Sequence, residues 1–366
     1  MKRREFFKSA SVATIGAAAA TTFATPAIAQ GNITWRMVTT WPKNFPGLGV
    51  GAQTLADRIT AASGGRLTIQ VFAAGEMVPG LQALDAVIDG SAEMSHGTPY
   101  YWQNKSQALS FFTGVPFGMT NRELTAWVRY LGGQEIWDKV YDQFGVQGFL
   151  SGDTGTQAGG WFRNELTGVA DIQGLRFRTP GLGGQVWGKL GASVTNLAAG
   201  EIFAALQSGT LDAAEFVGPY NDLALGFYQI AKNYYFPSFV EPGLATEIVV
   251  DKAKFAELPA DLQEIVRLAA QASYDEVASD MYANDPRALN ALVAEHGVQV
   301  RRFPEEIIEA GAKASMELIA EIREGGDALT KETAESFVSA FNLLRQRTEG
   351  TDMPYLAARE KYIKFD

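Results

Sequence analysis

Residues 200–222 read GEIFAALQSGTLDAAEFVGPYND, and their order is echoed at residues 83–97, ALDAVIDGSAEMSHG. Each stretch runs from a helical segment through a glycine turn into a strand that bears Ala and Glu. Such junctions are common wherever helices and strands alternate, so the echo alone is only a suggestion. It fits two similar α/β lobes facing each other. Working outward, Ile33 to Thr39 (ITWRMVT) is rich in β-branched and aromatic residues and reads as a first strand, followed by the turn-rich WPKNFPG. A helix is expected through GAQTLADRITAAS, with Leu55 and Ile59 on one face and Gly64-Gly65 ending it. LTIQVF at residues 67–72 alternates as a strand, and LQALDAVIDG, AEMSHG and an aromatic loop at Tyr100-Tyr101-Trp102 follow. Strand, helix and strand in succession predict parallel pairing with helices on the faces.

The pattern restarts in mid-chain. LRFR at residues 175–178 reads as a short strand, Gly184 to Leu190 and Ile202 to Leu206 as helices, and LDAAEF at residues 211–216 as another strand. From Ala253 onward long helical periodicity takes over, with Ile265, Leu268 and Ala269 on one face and Ile307, Ile308 and Ala310 to Gly311 on another. The expected division puts residues 30–155 and 246–300 in lobe I and residues 156–245 in lobe II. Residues 301–366 form a helical segment that packs on the lobes or makes dimer contacts.

The first residues, Lys2-Arg3-Arg4-Glu5-Phe6-Phe7-Lys8, lead into an Ala-rich stretch and then Ala27-Ile28-Ala29, the order of parts in a cleaved export signal. The paired arginines followed by Phe make residues 1–29 a twin-arginine signal. The apolar run is too short and too diluted by Thr, Ser and Gly for a spanning helix. Removing the segment shifts the net charge from −10 to −13, which argues against nucleic acid or an anionic membrane as partner. It leaves room for an anionic ligand, because one buried cation dominates a pocket locally. The absence of cysteine excludes disulfides, thiolate zinc sites and cysteine nucleophiles.

Two places invite chemistry. Glu215-Phe216-Val217-Gly218-Pro219-Tyr220-Asn221-Asp222 leaves the carboxyl end of an expected strand, where α/β proteins bind ligands. A carboxylate beside a Gly-Pro turn that brings carbonyls inward suits a hard cation; a solvated acidic turn is the other reading. In LRFRTP, Arg176 and Arg178 share a strand face, and Arg178 stands at the carboxyl end, where the cleft should lie. Its planar guanidinium matches a carboxylate in two places at once, and a surface salt bridge is the alternative. His96 reads mainly as a core histidine, and His296, before Gly297, as a residue at a helix end. GLGGQVWG lacks the glycine spacing of a dinucleotide site. No motif of a cofactor-loaded enzyme is present.

The stretches GLRFRTPGLGGQVWGKLGAS, GEIFAALQSGTLDAAEFVGPYNDLALGF, VFAAGEMVPGLQALDAV and GTQAGGWF together resemble the periplasmic substrate-binding subunit of TRAP transporters. EFVGPYND is similar to the branch that binds 2-oxo or 2-hydroxy monocarboxylates with a metal ion, although Phe216 stands where members often carry Trp. The resemblance implies a type II-like binding protein in the periplasm, with the ligand cleft between its lobes and no enzymatic activity. It implies Arg178 as carboxylate clamp, Gln157 as a ligand to metal and substrate, and Glu215, the Phe216 carbonyl and Glu241 as further ligands to Na⁺ or Ca²⁺. Asn221 is implied as a hydrogen-bond partner of the acid, and Tyr100, Tyr101 and Phe117 as walls. Glu215 and Glu241 together balance a divalent ion or over-balance Na⁺. The implied partners are the membrane subunits of the transporter, while the C-terminal helices, read from their periodicity, are either a scaffold or contacts to a second copy. A ligand-presenting sensor is the rival role.

Overall fold

The structure, a computed structural model, describes residues 32–365; the twin-arginine and cleavage motifs lie outside them. The first stretch contains β1 (Ile33–Thr39), α1 (Leu48–Ala62), β2 (Leu67–Phe72), α2 (Ala83–Ile88), β3 (Met94–Gly97), α3 (Asn121–Tyr130), α4 (Gly133–Asp142) and β4 (Val146–Asp153). The middle supplies β5 (Gly160–Phe162), β6 (Arg176–Arg178), α5 (Gly181–Lys189), β7 (Ser193–Thr195), α6 (Ala199–Gln207), β8 (Ala213–Ala214), α7 (Pro219–Leu225) and β9 (Asn233–Phe236). The chain then runs through β10 (Ala245–Asp251), α8 (Lys252–Glu257), α9 (Ala260–His296), β11 (Gln299–Arg302), α10 (Glu305–Gly325), α11 (Ala328–Arg347) and α12 (Met353–Tyr362).

Two sheets result. The first has the order β2-β1-β3-β10-β4 and the second β11-β9-β5-β8-β6-β7. Parallel pairing holds for β1 with β2 and β3 and for β6 with β7 and β8. β10 instead lies antiparallel between β3 and β4, so the chain re-enters the first sheet after building most of the second. This is the α/β, two-lobed arrangement, with three crossings between the sheets: residues 154–159, residues 237–244, and α9.

Several elements differ from their sequence reading. The strand expected over residues 211–216 is confined to Ala213–Ala214, because Glu215 onward turns away toward the crossings. β11 pairs in parallel with β9, which ties residues 299–302 to the second sheet. α9 continues through Pro286 for 37 residues. Its buried stripe follows Leu262, Val266, Ala269, Ala270, Ser273, Val277 and Met281, which leaves Leu268 outward and 54% exposed, off the face it was expected to share. Close approach explains part of the helix's path: a Cβ on Gly51 would come 2.6 Å from Val277, and one on Gly152 3.1 Å from it.

In the first half, Phe112 is stacked between Trp127 and Trp137 at 5.0 Å from each. His96 is a core residue. Trp41 Nε1 donates to its Nδ1 at 2.8 Å, Ser151 Oγ lies 3.2 Å from Nε2, and burial lowers its pKa to about 3. His296 ends α9 before the left-handed Gly297, stacked on Tyr228. Among the described residues no helix is long and apolar enough to cross a membrane.

Candidate functional site

β6 and β8 are parallel neighbours, with Arg178 in register with Ala214. Their carboxyl ends therefore bring Arg178 and Glu215 side by side, and the Glu215 N–H donates to the Arg178 carbonyl at 2.9 Å. Position along the strand, not alternation, separates the two arginines, as expected: Arg176 opens β6 and Arg178 closes it at the carboxyl end. Arg176 is exposed and paired with Asp212, while Arg178 is fully buried. The Arg178 Nε donates to the Leu197 carbonyl at 3.1 Å, Nη1 to the Glu215 carbonyl at 2.6 Å and Nη2 to the Tyr101 hydroxyl at 3.4 Å. Nη1 also stands 3.8 Å from Glu215 Oε2, and the guanidinium lies 5.3 Å from the centre of the Phe216 ring.

Two of the crossings run alongside each other and add Gln157 and Glu241. The Gln157 N–H donates to the Glu241 carbonyl at 3.1 Å, and the Ser238 N–H to the Gln157 carbonyl at 2.9 Å. The first half covers them with the aromatic turn after β3. Tyr100 and Tyr101 stack at 4.9 Å, and the Thr113 hydroxyl accepts the Tyr100 N–H at 2.9 Å. From α7, Asn221 Nδ2 donates to the Pro46 carbonyl at 2.8 Å, a bridge from the second half to the first. Phe45 meets Phe216 edge to face across the same divide, with centroids 5.8 Å apart.

The structure thus gathers Arg178, Glu215, Phe216, Gln157, Glu241, Tyr100, Tyr101 and Asn221, all buried. Phe117 is the exception. Its ring is 38% exposed, stacks on Phe239 at 5.4 Å, and lines an outer groove of about 360 Å³ with Met316, Phe337 and Phe341. The Phe117 N–H donates to the Phe239 carbonyl at 2.8 Å, which fixes that residue against the second half instead of in the site. Sequence reading also passed over Thr179, whose buried hydroxyl borders the cluster, and Thr154, whose hydroxyl is 2.9 Å from the Gln157 amide. Thr179 adjoins Arg178 in a motif already singled out and was within reach. The Leu197 carbonyl had no signal at all, since any residue supplies one.

The electrostatics of this cluster are incomplete. Glu215 Oε2, Glu241 Oε2, Asn221 Oδ1 and Thr179 Oγ1 are buried side-chain atoms without a hydrogen-bond partner. Burial pushes the Glu215 carboxyl well above its ordinary range, the neighbouring Glu241 pushes it further, and Arg178 pulls it back. Burial likewise raises Glu241, against the pull of Arg178. One guanidinium faces two carboxylates, and an unpaired buried charge is strongly destabilising. The Gln157 amide is ambivalent. In one setting its oxygen faces Glu215 Oε1 at 2.7 Å and the Phe216 carbonyl at 3.1 Å; in the other its NH₂ donates to both. The first setting crowds three oxygens around one point, which a bound cation or a proton held on Glu215 makes favourable. Carboxylate, amide and carbonyl oxygens are the ligands of a hard ion such as Na⁺ or Ca²⁺. Among the described residues there is no group of three His, Cys, Asp or Glu suited to a metal, consistent with an oxygen site completed by carbonyls.

A buried guanidinium beside a cluster of unpaired oxygens, covered by side chains from both halves of a two-sheet α/β fold, is an arrangement suited to a small anion. The chain belongs to the bacterial extracellular solute-binding proteins of family 7, whose profile matches residues 37–325, and it is a TRAP solute-binding protein. The family is one of solute receptors, not enzymes. The chain is 41% identical over 341 residues to a monocarboxylate 2-oxoacid-binding periplasmic protein of Nostoc sp., covering 92% of this chain and 93% of the relative. It superposes on a TRAP periplasmic solute-binding protein of Pseudoalteromonas atlantica, with bound sodium and pyruvate, at a TM-score of 0.87. Identity there is 38%, over 90% of this chain and 99% of that one. A counterpart from Colwellia psychrerythraea, with bound calcium and pyruvate, gives a TM-score of 0.86 and 38% identity over 89% and 99%.

Proposed function

We propose that this receptor captures a short 2-oxo or 2-hydroxy monocarboxylate, pyruvate- or lactate-like, together with Na⁺ or Ca²⁺, and hands it to the membrane subunits of a TRAP transporter. The observation that carries the reading is the convergence of unpaired buried oxygens on Glu215 and Glu241 beside the single guanidinium of Arg178. Gln157, Glu215, the Phe216 carbonyl and Glu241 would hold the ion, which supplies positive charge to the carboxylate and 2-oxygen of the acid. Three of the five N–H groups of Arg178 are engaged by the protein, and two remain for the acid. Tyr100 and Tyr101 wall the alkyl side, and Asn221 joins the halves at Pro46. The ion and acid together bring partners to groups that otherwise oppose closure, so loading favours the shut form.

Residues 1–29 serve as a twin-arginine signal in this reading, each sheet is the centre of one lobe, and the crossings at residues 154–159 and 237–244 act as hinges. The apolar side chains that α12 leaves exposed, Tyr355, Leu356 and Tyr362 among them, are covered by a second copy of the chain. The test of ligand class is a thermal-shift and calorimetric series with pyruvate, lactate and butyrate, each with Ca²⁺, with Na⁺, or with chelator in a sodium-free buffer. Stabilisation by the first two acids only when an ion is present is the expected result. Equal stabilisation by butyrate, or none by any acid, would sink the reading.

A further inference from the structure

α7 carries Asn221, and it starts three residues beyond Phe216. Gly218, in the capping position before it, and Pro219, its first residue, have no side chain able to cap it, so its leading N–H groups need acceptors from elsewhere. One comes from 65 residues away: Asp285 Oδ1 on α9 accepts the Tyr220 N–H at 3.0 Å. A Cβ on Gly218 would stand 3.2 Å from both carboxylate oxygens of Asp285, so the glycine is what admits them. On the other flank, Asp222 anchors the same segment through Trp161 Nε1 at 2.9 Å and the Tyr234 hydroxyl at 2.7 Å. α9 meanwhile lies on β4 and α1, with Val277 against Gly51 and Gly152 and Met281 against Gly47. α7 also packs directly on α9, and the Asp285 carboxylate adds a directional hydrogen bond to that contact between the site segment and a helix seated on the first sheet.

We propose that Asp285 is a positioning residue for the binding site, holding the Tyr220 N–H so that the start of α7 presents the Phe216 carbonyl and the Asn221 amide in the arrangement that receives ion and acid. The inference rests on the proposed ligand class for its affinity readout but not for its structural one. Gly218 has a φ of −168°, extended backbone open to any residue, so G218A crowds the carboxylate, 3.2 Å from the added Cβ, without backbone strain.

Calorimetry with pyruvate in the presence of Ca²⁺ compares wild type, D285A, D285N, G218A and, as a control on an exposed face of α9, D275A. Loss of a cap of this kind should raise Kd about 10-fold in D285A and G218A, while D285N, whose amide oxygen still accepts, stays within about 3-fold. D275A should bind as wild type does. Wild-type affinity in D285A and G218A would show that Asp285 serves folding alone, and a D285N as weak as D285A would show that charge, not the acceptor, matters. Either result overturns the proposal. If D285A does not fold, G218A and D285N carry the comparison. Amide hydrogen exchange of the ligand-free proteins separates this inference from the ligand assignment. Residues 217–222 should exchange about 10-fold faster in D285A than in wild type, and equal protection would refute the positioning role even if pyruvate proves not to bind.

Discussion

Arg178 gives its guanidinium first to the protein, donating to the Leu197 and Glu215 carbonyls and to Tyr101. It therefore does two jobs, and its loss shows in two measurements. Arg178→Ala strands two buried carboxylates as well as the acid, so binding weakens by about 3 kcal/mol or more, read by calorimetry. Because two carbonyls also lose their donor, the ligand-free protein melts lower too, contrary to a role confined to the ligand. Arg178→Lys keeps the charge but not the fork, and it should bind scarcely better than the alanine variant; near-native affinity would show that charge alone suffices. At this scale much of the site was legible. Place along the strand, with Arg178 at its carboxyl end, distinguished it from Arg176, and the family motifs pointed to Gln157, Glu215 and Asn221, which the fold brings together. Phe117 was misplaced because an aromatic in a loop gives no direction, and its left-handed φ of 54° turns it outward.

Among the elements, the junction of β6 and α5 bears most directly on closure. Gly181 opens α5 with a φ of +63°, and a Cβ there would meet the Tyr100 ring at 2.3 Å. Gly181→Ala should hold the halves apart, seen as a larger radius of gyration in solution scattering with pyruvate and Ca²⁺ and as weaker binding; a scattering curve unchanged from wild type would contradict the account. The local elements were readable: β1 falls where β-branched and aromatic residues put it, and β2 where alternation did. What sequence did not show depends on partners distant along the chain. β11 exists because β9 offers it an edge. The helix passes Pro286 because packing on both sides outweighs one lost hydrogen bond.

For the molecule as a whole, buried carboxyls set the response to pH. Glu247 accepts from Trp102 Nε1 at 2.9 Å and from the Tyr141 hydroxyl at 2.7 Å, and burial raises its pKa from 4.5 to about 8. Burial also raises Asp153 and Asp222, each to about 7. A carboxyl that keeps its proton in the fold but loses it when unfolded contributes fully below the unfolded value. That contribution is lost as pH climbs through the folded one. The ligand-free protein should lose stability steadily from about pH 4.5 to 8, and Glu247→Gln should flatten the slope; a melting temperature that rises across this window would contradict the assignment. Deleting residues 349–366 removes the exposed apolar helix and should convert a dimer to a monomer in light scattering, and a full-length monomer would refute the covering by a second copy.

Every residue of the site is buried, and Tyr100 packs against Gly181 like a shut door. In this conformation a captured acid has no route out past its walls. Its residence time is then the waiting time for the halves to part, and fresh acid in the surroundings cannot hurry its departure by competition. Unloading is then governed by how often the two halves part, not by the concentration of acid outside.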